Sequence, residues 1–67
     1  MTLYLIRPSG FEPIWAKGSV EAVRVLCDLF GLNFAANAEK LMAQVESVQR
    51  GCAIKHPDLS LSVENIG

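Results

Sequence analysis

Residues 19–50 of the chain are SVEAVRVLCDLFGLNFAANAEKLMAQVESVQR, and this stretch predicts two consecutive helices. Ser19 is the expected cap of the first helix, and Gly31 suits the left-handed position that ends it. Asn33 is the expected cap of the second helix, which we predict to run to Arg50. The fold follows from the apolar faces of these helices, because such faces need other elements to cover them.

The two predicted helices differ in how much of their surface is apolar. The first carries its only charges at spacings of three and four along one narrow stripe, formed by Glu21, Arg24 and Asp28. Most of its surface is therefore expected to be buried. The second is apolar along a single stripe, formed by Phe34, Ala38, Leu41, Met42, Val45 and Val48. We predict a half-buried second helix whose stripe faces a sheet.

Two strands are predicted before the helices. Residues 2–7 are apolar on both faces, which is typical of a central strand. One side of this strand carries Leu3 and Leu5, and the other carries Tyr4 and Ile6. Residues 11–17 form the second strand, and Pro13 places it at a sheet edge because proline cannot donate a ladder hydrogen bond.

The segment after the helices is extended but interrupted. Residues 52–55 are strand-like, His56-Pro57-Asp58 breaks the pattern, and residues 59–64 alternate between apolar and polar side chains. The alternation turns inward the side chains of Leu59, Leu61 and Val63. Two interpretations stay open here, one strand bent at Pro57 and a small terminal hairpin.

The predicted fold class is α+β in the order β-β-α-α-β, as one domain spanning residues 1–67. Short connections favour an antiparallel sheet of three strands, or of four if the terminal segment forms a hairpin. We expect the first strand at the centre of the sheet, with both helices packed on one face.

Composition limits the classes of function that the chain can serve. A net charge of −1 gives no general attraction to nucleic acid or to an anionic membrane. Residues 1–6 are too short an apolar run for a secretory signal, and no membrane span is predicted. We therefore expect a cytoplasmic protein in which Cys27 and Cys52 are free thiols.

His56-Pro57-Asp58 resembles the signature tripeptide of the J-domain co-chaperones. That family places the tripeptide between two long helices, whereas strand-like alternation follows it here, so we interpret it as a turn. His56, Cys27 and Cys52 lack the paired spacing of a zinc site, and no nucleophile motif is present. We predict no enzymatic activity, no catalytic or metal-binding residues and no cofactor.

Nucleic acid is not the partner that we expect. The start of the second helix has no arginine with which a helix-turn-helix would contact guanine or phosphate. A separate route is a stacking surface on the sheet, formed by Tyr4, Arg7, Trp15, Lys17 and Lys55. The glutamates of the chain are expected to dilute the charge of such a surface.

Protein–protein docking is the predicted function, because two helices cover only one face of a sheet. Tyr4, Ile6 and Trp15 would form an apolar patch on the other face. Exposed apolar patches with Trp and Tyr are typical of protein interfaces. The alternative is a curled hairpin that buries Trp15. We expect a protein partner, or a second copy in a homodimer, contacted by Tyr4, Ile6, Arg7, Phe11 and Trp15.

Small plain domains of this kind are frequent among phage- or plasmid-borne inhibitors, anti-CRISPR proteins included. The expected action is therefore docking on a larger bacterial complex and occlusion of its surface. A small nucleic-acid-binding regulator and a minor structural subunit of a bacterial assembly are the alternatives.

Overall fold

The computed structural model describes residues 2–57 and 59–67, and these form an α+β fold in the order β-β-α-α-β-β. The elements are β1 (Leu3–Pro8), β2 (Ile14–Lys17), α1 (Ser19–Phe30), α2 (Phe34–Glu46), β3 (Ala53–Lys55) and β4 (Leu61–Asn65). Their strands make one antiparallel sheet in the order β2-β1-β4-β3. The predicted fold class is confirmed, with β1 inside the sheet and the terminal segment folded as a hairpin.

The first helix begins where predicted, but a different residue caps it. Gly18 holds the N-cap position with a φ of 88°, and Ser19 is the first helical residue, so the prediction of Ser19 as the cap is wrong. The physical reason is that glycine adopts this positive φ at no steric cost. Glu21 supplies a side-chain acceptor instead, since its Oε2 atom accepts the Lys17 N–H at 2.8 Å.

The connection between the helices follows the predicted capping pattern. Gly31 has a left-handed φ of 64°, and the Leu32 N–H donates to the Cys27 carbonyl at 2.9 Å. Asn33 then caps α2, because its Oδ1 atom accepts the Ala36 N–H at 2.9 Å. These two predictions are confirmed.

The second helix ends at Glu46, short of the predicted end at Arg50. The Val48 carbonyl accepts a hydrogen bond from Asn65 Nδ2 at 2.8 Å, so it is engaged by β4. The Val48 side chain is buried. Beyond Glu46 the chain thus makes tertiary contacts at Val48 where the predicted last helical turn would lie.

The core lies between the two helices and one face of the sheet. Its largest fully buried side chains are those of Ile6, Val23, Leu26, Val45 and Val63. Phe34 and Met42 of the predicted α2 stripe are half-buried and pack against this core. The Arg24 guanidinium lies 4.6 Å from the centre of the Phe34 ring, which links the two helices.

Strand β1 turns Tyr4 and Ile6 toward the helices, where both belong to the buried core. The prediction that these two residues lie on the uncovered face is wrong. The physical reason is Arg7, which shares its side of the strand with Leu5. A charged side chain is costly to bury beneath helices without a partner, so the side that carries Arg7 faces outward.

His56 ties the β3–β4 hairpin to α2. Its buried ring places Nε2 at 2.6 Å from Gln44 Oε1, while Nδ1 accepts the Leu59 N–H at 3.1 Å. An Nδ1 atom that accepts a hydrogen bond leaves the ring proton on Nε2, which donates to Gln44. The break predicted at residues 56–58 thus coincides with a structural anchor; Asp58 itself lies outside the described residues.

Candidate interaction surface: the open face of the sheet

One face of the sheet is not covered by the helices, and we call it the open face. Directly paired residues of neighbouring strands point to the same side of a sheet, so the side chains of this face stand in cross-strand rows. One row consists of Trp15, Leu5, Glu64 and Ala53. The next row consists of Arg7, Ser62 and Lys55. The open face is completed by Leu3 and Lys17.

Trp15 is the largest apolar side chain on the open face. It is 56% exposed, whereas Leu5, directly opposite it in the ladder, is only 5% exposed. Leu5 lies outside the core cluster beneath the helices, so its cover comes from its neighbours on the open face. As its direct cross-strand neighbour, Trp15 is placed to cover part of Leu5, and it presents more than half of its own surface to solvent. The alternative of a hairpin that buries Trp15 is wrong.

The open face is positively charged although the chain as a whole carries −1. Its strand residues include three basic side chains, Arg7, Lys17 and Lys55, and one acidic side chain, Glu64, for a net charge of +2. Arg7 Nε and Glu64 Oε1 are 3.8 Å apart, and both side chains are partly exposed. Such a long surface contact neutralises Arg7 weakly.

A groove of about 390 Å³ crosses the open face in the row of Arg7 and Lys55. It is lined by Arg7, Ser9, Lys55, Ser60, Leu61 and Ser62. Arg7 and Lys55 flank Ser62, which is paired with both of them in the ladder. Among the residues that the structure describes, the lining therefore combines two cations with three hydroxyl groups and carries no acidic side chain.

The structure brings together two of the five residues predicted to contact a partner. Arg7 and Trp15 lie on the open face, and Tyr4 and Ile6 lie in the core. Phe11 is 72% exposed but lies elsewhere. It follows β1 and lines a narrow cleft with Leu29 and Phe30 of α1.

Leu5, Ser62 and Glu64 belong to the open face and were not among the predicted contact residues. For Leu5 the signal in the sequence is Arg7, which follows at a spacing of two and marks that side of β1 as the solvent side. For Ser62 and Glu64 the signal is the alternation of residues 59–64, which turns both away from the core. The set Arg7, Trp15, Lys17 and Lys55, considered above as a stacking surface, is assembled on one face, without Tyr4.

Two groups with displaced pKa values, those of Tyr4 and Cys27, lie away from the open face. Burial raises the pKa of the Tyr4 hydroxyl, and the Glu46 carboxylate adds to the effect. Burial also raises the pKa of the Cys27 thiol, with a further contribution from Asp28. Both effects favour the neutral forms, as expected for side chains of the core.

Within residues 2–57 and 59–67, no three His, Cys, Asp or Glu side chains come together in a way that would hold a metal ion. No helix in the same ranges has the length and apolar character needed to cross a membrane. Comparison with protein-family models, with curated proteins and with solved structures finds no match. The geometry of the open face is therefore the basis for inferring a function.

Proposed function

We propose that this chain is a non-enzymatic docking domain that binds another protein through the open face, with Trp15 as its main apolar anchor. The observation that carries the proposal is the exposure of Trp15, 56%, on a sheet face without helical cover. Tryptophan is one of the residues that contribute most to binding energy at protein interfaces. Leu5, its direct neighbour in the ladder, is buried beside it.

Charge complementarity defines the chemistry of the partner. The face that carries Trp15 and Leu5 also carries three basic side chains, so the best-matched partner surface is acidic and offers an apolar recess for the indole. A second copy docked on the same face would set these basic residues against each other. A homodimer, the other partner expected from the sequence, would avoid this repulsion by pairing along the edge strands β2 or β3.

Occlusion is the mode of action that suits such a domain. A chain of 67 residues with one docking face acts by covering a surface that its partner needs for another contact. An inhibitor of a larger bacterial complex, carried by a phage or another mobile element and anti-CRISPR-like in kind, is the biological role that we propose. What supports this role is the small size of the domain together with its single uncovered face.

The experiment that tests docking is affinity capture from a bacterial lysate with matched variants. We expect Trp15→Ala and the double variant Arg7→Glu/Lys55→Glu to lose partners that the wild-type chain retains. Phe11→Ala removes a still more exposed aromatic side chain away from the open face, so it should retain them. Loss of the same partners by Phe11→Ala, or retention by every variant, would contradict the proposal. Circular dichroism on each variant checks that the fold is intact.

Single-stranded nucleic acid is a second candidate ligand of the open face. The observation in its favour is that Arg7, Lys17 and Lys55 share this face with Trp15, an arrangement that can hold a phosphate backbone and stack a base. A mobility shift with an oligothymidine at low salt, weakening as salt is added, would support it. No shift at low salt would remove this candidate.

A further inference from the structure

We infer that the groove between Arg7 and Lys55 is a binding site for a phosphomonoester dianion. The site consists of the row Arg7, Ser62 and Lys55, together with the hydroxyl groups of Ser9 and Ser60. The site shares Arg7 and Lys55 with the proposed docking surface, but its lining does not include Trp15, so Trp15 variants distinguish the two proposals.

The geometry of the sheet lets both cations reach one ion. Neighbouring strands are about 5 Å apart, so the backbones of Arg7 and Lys55 stand about 10 Å apart across Ser62. Both side chains are long and flexible enough to converge above Ser62. The Ser9 N–H donates to the Ser60 carbonyl at 2.8 Å, and this bond holds the two segments that close one end of the groove.

The donor set matches a tetrahedral oxyanion. An arginine guanidinium offers paired N–H donors, and a lysine ammonium acts as a compact point charge on a phosphate group. Ser9, Ser60 and Ser62 add hydroxyl donors, which commonly contact phosphate oxygens. A cavity of about 390 Å³ has room for a phosphate group with a small organic substituent.

Charge selects the dianion over a singly charged ligand. In the described part of the chain, the lining residues carry two positive charges and no negative one. Glu64, outside this lining, lies 3.8 Å from Arg7 and neutralises it only weakly, because both side chains are partly exposed. A phosphomonoester carries nearly two negative charges at neutral pH, because its second ionisation lies near pH 6. A carboxylate or a phosphodiester carries one and leaves a cation uncompensated. Binding should therefore weaken as the pH falls below about 6.

The test is a nuclear magnetic resonance titration of the full chain at constant ionic strength. The probes are glycerol 2-phosphate, inorganic phosphate, dimethyl phosphate and acetate, with an oligothymidine that lacks a terminal phosphate as a separate arm. We expect saturable shifts at the amides of Arg7, Lys55 and Ser62. Glycerol 2-phosphate should bind at least about tenfold more tightly than either singly charged probe. Equal binding of glycerol 2-phosphate and inorganic phosphate would support the site and identify free phosphate as a sufficient ligand.

Matched variants distinguish specific binding in the groove from general attraction to a positively charged surface. Arg7→Gln and Lys55→Gln should each weaken binding of glycerol 2-phosphate about tenfold, whereas Lys17→Gln removes the same charge outside the groove and should change it less than about twofold. Trp15→Ala should leave binding unchanged, so failure of the docking proposal would not affect this result. An effect of Lys17→Gln as large as that of Lys55→Gln would overturn the inference. Tighter binding of oligothymidine than of the monoester would also overturn it.

Discussion

Leu5 and Trp15 stand directly opposite each other in the β1–β2 ladder, on the face of the sheet that neither helix covers. Leu5 is buried there although no helix lies above it, and Trp15 is still more than half exposed. The indole is thus placed to cover a central side chain of the sheet, and in the proposed docking its exposed part contacts a partner. Trp15 is therefore expected to contribute both to partner binding and to the stability of the sheet.

Trp15→Ala should destabilise the fold moderately and leave it formed. The substitution uncovers Leu5 and removes the buried part of the indole, so we expect a loss of about 1–2 kcal/mol in the free energy of unfolding. Trp15→Phe keeps a ring above Leu5 and should cost less. Urea denaturation followed by circular dichroism measures both. Complete unfolding of Trp15→Ala in buffer would show that Trp15 is a core residue.

Ile6→Ala should be far more damaging than a larger truncation at Phe11. Ile6 is 0% exposed and packs beneath the helices, so its truncation should cost about 2–5 kcal/mol. A domain of this size has a total stability on the order of 5 kcal/mol, and the variant should be largely unfolded. Phe11→Ala should change stability by less than about 0.5 kcal/mol. Similar melting curves for the two variants would contradict the assigned face of β1.

Asn33→Ala and Ser19→Ala form a matched pair at the starts of the two helices. Asn33 accepts the Ala36 N–H, and its loss should cost about 1 kcal/mol. Ser19 does not cap α1; its hydroxyl donates to Glu46 Oε2 at 3.1 Å in an exposed position. We expect Ser19→Ala to cost less than about 0.5 kcal/mol. An equal or greater loss for Ser19→Ala, measured by thermal denaturation, would contradict the capping assignments.

The burial of Tyr4 should make the fold sensitive to alkaline pH. Because burial raises the pKa of Tyr4 in the folded state above its unfolded value of about 10, the neutral phenol stabilises the fold below about pH 10. That contribution is lost as the pH rises through the folded pKa. Tyr4 is the sole tyrosine in the chain, so tyrosinate absorbance reports its titration directly.

Tyr4→Phe is the control for this titration. As the pH rises from 9 through the folded pKa of Tyr4, the free energy of unfolding should fall less for the variant than for the wild-type chain. The Cys27 thiol, whose pKa burial also raises, contributes in the same direction and is present in both proteins. An identical alkaline loss of stability in both would show that Tyr4 is not the responsible group.

The helices could be predicted from the sequence because local signals mark their ends. Gly31 and Asn33 each act through a hydrogen bond within a few residues of themselves, so the residues alone contain that information. Beyond the end of α2, by contrast, the chain is held by a bond between Val48 and Asn65. These two residues are distant in the sequence, and a periodic apolar pattern that continues to Val48 does not reveal the contact.

The faces of the sheet were harder to predict because β1 is apolar on both sides. Alternation separates Tyr4 and Ile6 from Leu3 and Leu5 but does not say which pair the helices cover. Arg7 decides between them through the cost of burying a charge. The gathering of Lys17 and Lys55 with Arg7 on one face follows from the register of three strand pairs, which no local pattern reports.

Selective quenching of Trp15 fluorescence tests the central claim most directly, that an exposed indole stands on a positively charged face. The chain has one tryptophan, so its emission reports this site alone. We predict emission typical of an indole in water, and stronger quenching by iodide than by caesium ions when each is normalised to N-acetyl-tryptophanamide. Arg7→Gln and Lys17→Gln should each reduce the preference for iodide. Blue-shifted emission with little quenching by either ion, or a preference for caesium as the net charge of −1 alone would give, would contradict the account.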